Sequence, residues 1–403
     1  MATIKPFSAI RPNVKYVDQV ASLPYDVMSV EEAKEIVKDN PYAFLQIDLP
    51  EVFLAEDESE DSDIKYKYAK DHLQKLINED VLEKDKDERY YIYQLQNETI
   101  TQRGIVGVAS VEEYNQGIIK KHENTRADKE ADRIKHVDAC NAHTGPIFLA
   151  YKKNKALKQI IQDYIEKNEP IYNFTADDKV VHAVWKINQE IGSLITTEFD
   201  KIESLYIADG HHRAAAAATV GNARQTPGSQ YFLSVAFDEE ELCIMDYNRV
   251  VHDLNGLSAE SFFETISKDF TVKEEEGVYK PKVKDSFGMY YDKKWYSLVA
   301  KAHIVGKDIV ASLDVSVLQD HLLNPVLGIK EPRTDNRIEF IGGIRGLGHL
   351  EKVADQYNGI AFAMFPTSIQ ELMAVADINE LMPPKSTWFE PKLRSGIFIN
   401  DLG

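Results

Sequence analysis

The 403-residue chain has only two cysteines, Cys140 and Cys243. They make neither a disulfide framework nor a paired-cysteine metal spacing. No apolar run approaches the ~20 residues of a membrane span. The opening Met1-Ala2-Thr3-Ile4-Lys5-Pro6-Phe7 has no apolar core of signal-peptide length. These absences set the expectation of a reducing cytoplasm and no membrane partner. Positive charge is scarce: 47 Lys and Arg stand against 66 Asp and Glu, for a net charge of −19. Nucleic-acid binding needs a basic face that displaces counterions, so no nucleic-acid partner is expected. A small anion still fits, because a local basic pocket works inside an acidic body. The glycine orders G-x-G-x-x-G and G-x-x-x-x-G-K-[ST] and the zinc pattern H-E-x-x-H are all missing. The length allows one large or two ordinary domains.

The richest stretch present is Ser204 to Ala218, which contains Asp209-Gly210-His211-His212-Arg213. Leu205, Tyr206 and Ile207 suit a buried strand. The alanine run after Arg213 suits a helix. A helix start carries unpaired N–H groups and the positive end of the macrodipole. Gly210 lets the backbone approach a ligand, and Arg213 offers a fork that suits phosphate oxygens. The turn is expected to hold an anion, phosphate above all. The alternative is a plain helix cap with solvated histidines.

Two further regions carry chemistry. In Lys121 to His136, Thr125 and Asp128 read as a capping box. With Thr125 as the cap, Arg126, Lys129, Arg133 and His136 share one helical face, a candidate phosphate-facing wall. Glu123 precedes that helix, placed to act as a base. The plainer reading is a solvated helix laced with ion pairs. Met382 to Gly396 gathers Lys385, Ser386, Thr387, Lys392 and Arg394 into a proline-stiffened loop, suited either to closing over a ligand or to docking through Trp388 and Phe389. Gly342 to Gly348 reads as a turn with close packing. Asn141 to Pro146 reads as a turn leading into a strand at 147–150.

Elsewhere, Ser29 opens a helix that ends near Asn40 and Pro41. A strand is expected over 44–49, and a solvated acidic loop over Asp57 to Asp63. Helices follow over 64–82, 155–167 and 188–199, with strands over 90–95, 104–111 and 180–187. Strands over 231–237 and 242–247 are expected to pair around the turn at 238–241. Beyond residue 254 come a helix over 259–270, a hairpin turning at Asp292 and Lys293, and a helix from Asp314 that ends or kinks at Pro325. The fold class is α/β (α+β), divided as 1–253 and 254–403.

Together, Ala208-Asp209-Gly210-His211-His212-Arg213, His122-Glu123-Asn124-Thr125 and Pro384-Lys385-Ser386-Thr387-Trp388-Phe389-Glu390-Pro391-Lys392 resemble the family called domain of unknown function 1015. Leu23-Pro24-Tyr25-Asp26-Val27 and Tyr247-Asn248-Arg249-Val250-Val251 fit it too, so the resemblance spans essentially the whole chain. The Asp-Gly-His-His-Arg turn is also similar to the phosphate-binding turn of the ParB/sulfiredoxin-like fold. Within that superfamily it is similar to the free-serine kinases, whose upstream His-Glu pair matches His122 and Glu123. The resemblance implies a ParB/sulfiredoxin-like nucleotide-binding core with a second α/β lobe. It implies a nucleotide- and Mg²⁺-dependent phosphotransferase acting on a small hydroxylated metabolite such as serine, using ATP or ADP. Glu123 would take the hydroxyl proton. Asp209 would hold Mg²⁺ or orient the nucleophile. Gly210, His211, His212 and Arg213 would cradle phosphates, with Arg126, Lys129 and Arg133 adding positive charge. His122, Thr125, Lys385, Ser386, Thr387 and Lys392 would contact substrate or close the site. The chain departs from those kinases in its length and in the extra elements between the two motifs. A non-catalytic sensor of a nucleotide or phosphometabolite, and a phosphohydrolase assisted by His211 or His212, remain open on the same residues.

Overall fold

A computed structural model describes residues 1–54 and 63–403. Apart from Asp63, the expected acidic loop therefore lies outside the described residues. Contacts divide the chain into two units. The first comprises Met1–Lys121, Thr125–Leu242 and Pro391–Gly403, and the second His122–Asn124 and Cys243–Glu390. The sequence expectation put one division between 253 and 254. The units cross at 242/243 instead, and the last segment returns to the first unit.

The chain is a mixed α/β protein. In the first unit a nine-stranded sheet of described residues runs from Ile119–Lys120 through Leu205–Asp209, Ile147–Tyr151, Tyr231–Asp238, Thr101–Ser110, Tyr91–Gln96 and Val181–Lys186 to Tyr172–Thr175, and Ile4–Lys5 pairs with Thr101–Ser110. Alternation along the strands decides which face is dry. Ile147, Leu149 and Tyr151 share a core with Leu205, Ile207, Phe232 and Ala236, closed by Leu157 and Ile161 from Lys155–Lys167 and by Ala214, Ala217 and Ala218 from His211–Arg224. The alanine run thus gives the second helix a flat face that sits close on the sheet. On the other face, Tyr91 and Tyr93 pack on Phe398, and Phe148 packs on Phe237.

The second unit holds a six-stranded antiparallel sheet in the order Phe270–Glu275, Lys294–Ala300, Ser286–Tyr291, Ile360–Ala363, Tyr247–Val251, Ile338–Gly342. Leu350 and Ala354 of the helix Leu347–Tyr357 pack on Val250, Ile341 and Ala361.

Several expected elements stand. Ser29 forms a capping box on Val30–Asp39. The hairpin turns at Asp292 and Lys293, both at positive φ (48° and 60°). The helix from Asp314 passes into a π-helical turn over Gln319–Leu323 and stops before Pro325. Two expectations fail. Residues 44–49 contain the one-turn helix Leu45–Asp48, not a strand. Phe44 and Ile47 face one apolar cluster while Leu45 and Leu49 face another, and a short run buried on two sides has no diagnostic period. Residues 242–247 do not pair with 231–237 either. Ile244–Met245 pairs with Trp388–Phe389, and Tyr247–Val251 joins the second sheet.

Candidate functional site

The strand Leu205–Asp209 is irregular at its end. Ile207 faces Leu149, and Asp209, two residues on, faces Phe148, so Ala208 is an extra residue. Such a bulge re-aims the side chain that follows it, here Asp209. Gly210 then takes φ +92°, and the helix His211–Arg224 begins. A residue with a Cβ is strained at that φ. A Cβ there would also stand 3.2–3.4 Å from the Arg213 guanidinium, which folds back over the glycine.

The Asp209 carboxylate is gripped on both oxygens. Oδ1 accepts the Gly210 N–H (2.8 Å), and Oδ2 lies 3.0 Å from Lys392 Nζ. Burial pushes this carboxyl up, but the charges of Lys392 and Arg213 outweigh it and hold the group well below the usual carboxylate range. Lys392 comes from the C-terminal segment, whose position follows from its pairing. Ser395 and Ser22 exchange backbone hydrogen bonds, as do Ile399 and Ile10, and Asn400–Asp401 pairs with Ala142–His143.

Arg213 also reaches a neighbouring segment, its Nη1 donating to the Pro146 carbonyl (2.8 Å). Beside it lies a small cavity of about 20 Å³, lined by Tyr25, Asp48, Arg133, His143, Thr144 and Arg213 among others, with room for about one water. Thr144 Oγ1 donates to Asp48 Oδ1 (2.6 Å). His143 and Thr144 are therefore buried lining groups rather than parts of an open turn.

The basic stripe is real but divided. The helix is Ala127–Cys140, and its cap is Arg126, not Thr125, which bonds to Glu130. Arg126 and Lys129 are exposed, and Arg126 pairs with Asp128 at 2.7 Å. Arg133 and His136 are buried. Arg133 is held by Asp132 (2.6 Å) and the Asp48 carbonyl (3.0 Å), with its Cζ over the Tyr25 ring, 4.1 Å from the centroid. Its charge is consumed by the fold, so it does not form a phosphate-facing wall. His136 donates to the Ile47 carbonyl (2.7 Å), and burial, with Arg133 nearby, lowers it to about 4. The link from this helix to the turn is a different one: the Arg126 N–H donates to His212 Nε2 (3.0 Å). That bond requires the Nδ1–H tautomer.

The first unit thus brings together Thr125, Arg126, Asp209, Gly210, His211, His212, Arg213 and Lys392. His122, Glu123, Lys385, Ser386 and Thr387 belong to the second unit. There the His122 carbonyl accepts from the Met382 N–H (2.8 Å). Ser386 Oγ donates to the Pro383 carbonyl (2.6 Å), and Lys385 (φ +57°) gives its carbonyl to Arg249 (3.1 Å). Asp48 was missed from sequence, and Tyr25 was read only as part of the segment over 23–27 that fits the family, with no site role. The misread strand over 44–49 hid Asp48.

Mg²⁺ does not fit the groups around Asp209. A divalent ion on that carboxylate would face the Lys392 ammonium at 3.0 Å, which already supplies the counter-charge.

These features define a mixed α/β protein with a left-handed glycine turn between a bulged strand and a helix. The chain belongs to the family described as protein of unknown function (DUF1015), whose model matches residues 4–316. No curated protein matches it. Among solved structures it is similar to a point mutant of a free serine kinase in complex with AMP, at 14% identity and TM-score 0.37, covering 73% of this chain and 91% of that one. It is also similar to a C-terminally truncated SbnI from Staphylococcus aureus (11%, TM-score 0.38, 72% and 85% covered). A third is a conserved hypothetical protein from Pyrococcus furiosus (15%, TM-score 0.35, 73% and 94% covered). All three scores lie below the level that marks a shared fold. Among the described residues, no helix is long and apolar enough to cross a membrane.

Proposed function

We propose that the Asp209–Arg213 turn binds the phosphates of a nucleotide and that the protein is a phosphotransferase acting on a small hydroxylated metabolite. The observation that carries this reading is the Gly210 turn itself. Its left-handed backbone opens the first amides of a 14-residue helix, and the Lys392 ammonium is fixed beside it by Asp209. Phosphoryl transfer mostly needs positioning and neutralised charge. Lys392 supplies charge from the side of the C-terminal segment, and Arg126 and Lys129 supply it from the helix start. Arg213 serves as the strut that keeps the turn in shape. From the resemblance alone, Glu123 is the base that takes the acceptor hydroxyl's proton, and the core is of the ParB/sulfiredoxin-like kind. No step is assigned to Mg²⁺.

The test incubates the full chain with ATP or ADP, with and without Mg²⁺, and a panel of hydroxy amino acids including serine. A phosphorylated acceptor is the expected product, lost in Glu123→Gln. Phosphate release with no phosphorylated acceptor identifies a hydrolase. Nucleotide affinity without turnover, unchanged by Glu123→Gln, identifies a sensor. No affinity for AMP, ADP or ATP in a folded sample overturns the reading altogether.

A further inference from the structure

The first unit holds another, larger cavity, of about 370 Å³, which shares no lining residue with the turn. Its volume falls in the ~300–1,000 Å³ range of small-molecule sites. Three adjacent strands form its floor. Asp238 pairs in register with Tyr151, and Phe237 with Gly104, which puts Arg103 beside Asp238. Each of the three lies two residues beyond a core position of the same face, namely Ile105, Leu149 and Ala236. The floor is thus the polar rim of the core. Lys155, Lys158 and Gln162, on one face of the helix Lys155–Lys167, form the wall.

Most of the polar groups here are satisfied. Asp238 accepts the backbone N–H groups of Asn154 and Glu240, each at 3.0 Å. Lys158 lies 3.5 Å from Glu241, and Arg103 Nε donates to Gln94 (2.9 Å). Tyr151 is the exception. It is completely buried, and its hydroxyl has no hydrogen-bond partner among the described residues. A buried hydroxyl left unmatched costs about 1–3 kcal/mol, so an acceptor from outside the chain is the natural completion. Burial, with Asp238 and Glu241 nearby, pushes the phenol well above its ordinary range, so it keeps its proton and donates. Arg103, Lys155 and Lys158 outnumber Asp238 and Glu241, and the Asp238 oxygens are already taken by backbone amides. Ile161 and Tyr151 are the apolar residues in its lining.

We propose that this cavity binds a small organic monoanion, a carboxylate on an apolar body, with one carboxylate oxygen on the Tyr151 O–H and the charge matched by Arg103 and Lys155. The site is independent of the phosphate turn.

The experiment titrates the full chain with hexanoate and, separately, with hexanamide, following calorimetric heat and thermal unfolding. Hexanoate raises the unfolding temperature, and hexanamide at equal concentration does not. Tyr151→Phe weakens hexanoate about tenfold while unfolding no earlier than the parent, because the lost hydroxyl had no partner. Arg103→Gln weakens it comparably, and ADP does not displace it. Four results overturn the proposal: no hexanoate binding at millimolar concentration, equal binding of the amide, unchanged affinity in Tyr151→Phe, or displacement by ADP.

Discussion

Two strand-to-helix junctions among the described residues pass through a glycine at positive φ, and they use glycine for different reasons. In the first unit, Leu205–Asp209 leads through Gly210 (φ +92°) into His211–Arg224. In the second, Ile338–Gly342 leads through Gly343–Arg345 and Gly346 (φ +73°) into Leu347–Tyr357. A Cβ on Gly342 would stand 2.6 Å from the Trp388 indole, and one on Gly343 would stand 2.6 Å from the Asp246 carboxylate. Those two glycines make room for fixed neighbours of their own unit. Gly210 instead faces the Arg213 guanidinium, and beside it lies a carboxylate with its own ammonium partner. Both junctions open a helix and carry its dipole. The difference lies in what surrounds the amides, so a glycine at a helix start does not by itself say what the turn is for.

Alanine at each position breaks the pair apart most strongly. Gly342→Ala overpacks Trp388 and is expected to cost about 1–3 kcal/mol, lowering the unfolding temperature with nucleotide affinity intact. Gly210→Ala forces a left-handed backbone on a residue with a Cβ, at about 1–2 kcal/mol, and displaces Arg213. Its larger effect is loss of nucleotide binding, read by titration with ADP. Equal affinity losses in both variants would mean that the two turns are not functionally distinct.

Lys392→Gln comes next. It removes the ammonium from Asp209 and leaves a carboxylate facing incoming phosphate. Affinity for ADP is expected to fall on the order of tenfold, with a weaker salt dependence than the parent. The variant Asp209→Asn, paired with it, should recover part of the loss, because the bare negative charge is gone. If the double variant binds no better than Lys392→Gln alone, the ion pair is structural only.

Much of the first junction was legible from residue types. A β-forming triplet, Asp-Gly and an alanine run define strand, turn and helix without reference to the rest of the chain. The hairpin at Asp292 and Lys293 and the cap at Ser29 were legible for the same local reason. Lys392 was visible as a loop cation, but its partner was not. Asp209 lies 183 residues away, and the meeting depends on the C-terminal segment pairing with Ser22, Ile10 and His143. The bulge at Ala208 was hidden too, since one extra residue in a ladder leaves no composition signal. Arg133 shows the opposite failure. Its spacing on the helical face was right, yet burial against Asp132 and Tyr25 decided its role, and burial is a tertiary property.

Two buried histidines of the first unit and a buried carboxyl of the second also respond to pH with opposite sign. In the first, burial lowers His143 to about 4, with Arg224 adding to the effect, and His136 is lowered likewise. Unfolded histidine titrates near ~6.5. Between about 6.5 and 4 the unfolded chain binds more protons, so stability from these groups is present above that window and is lost as pH falls. In the second unit, burial raises Asp314 to about 7, against ~3.9 unfolded. Here the folded form holds the extra proton, so the contribution fades as pH rises from about 4 to 7. Asp314→Asn should therefore unfold later than the parent at pH 8 and close to it at pH 4. His143→Asn should flatten the loss between pH 6.5 and 4. Unfolding followed across pH for both variants checks the signs, and matching slopes would end the contrast.

The smallest effect belongs to Arg126. Its side chain is 56% exposed, and its partner Asp128 is 60% exposed, so the pair is worth ~1 kcal/mol or less. Arg126→Ala should hardly move the unfolding temperature. The Arg126 backbone N–H still reaches His212, which keeps the turn in place. What the substitution removes is one cation near the helix start. ADP affinity should drop by a factor of a few at low salt, and the difference should largely vanish near ~1 M salt, where the Debye length is ~3 Å. A loss that persists at high salt would place Arg126 in direct contact with phosphate, and the charge near the turn would then be a designated ligand rather than a general field.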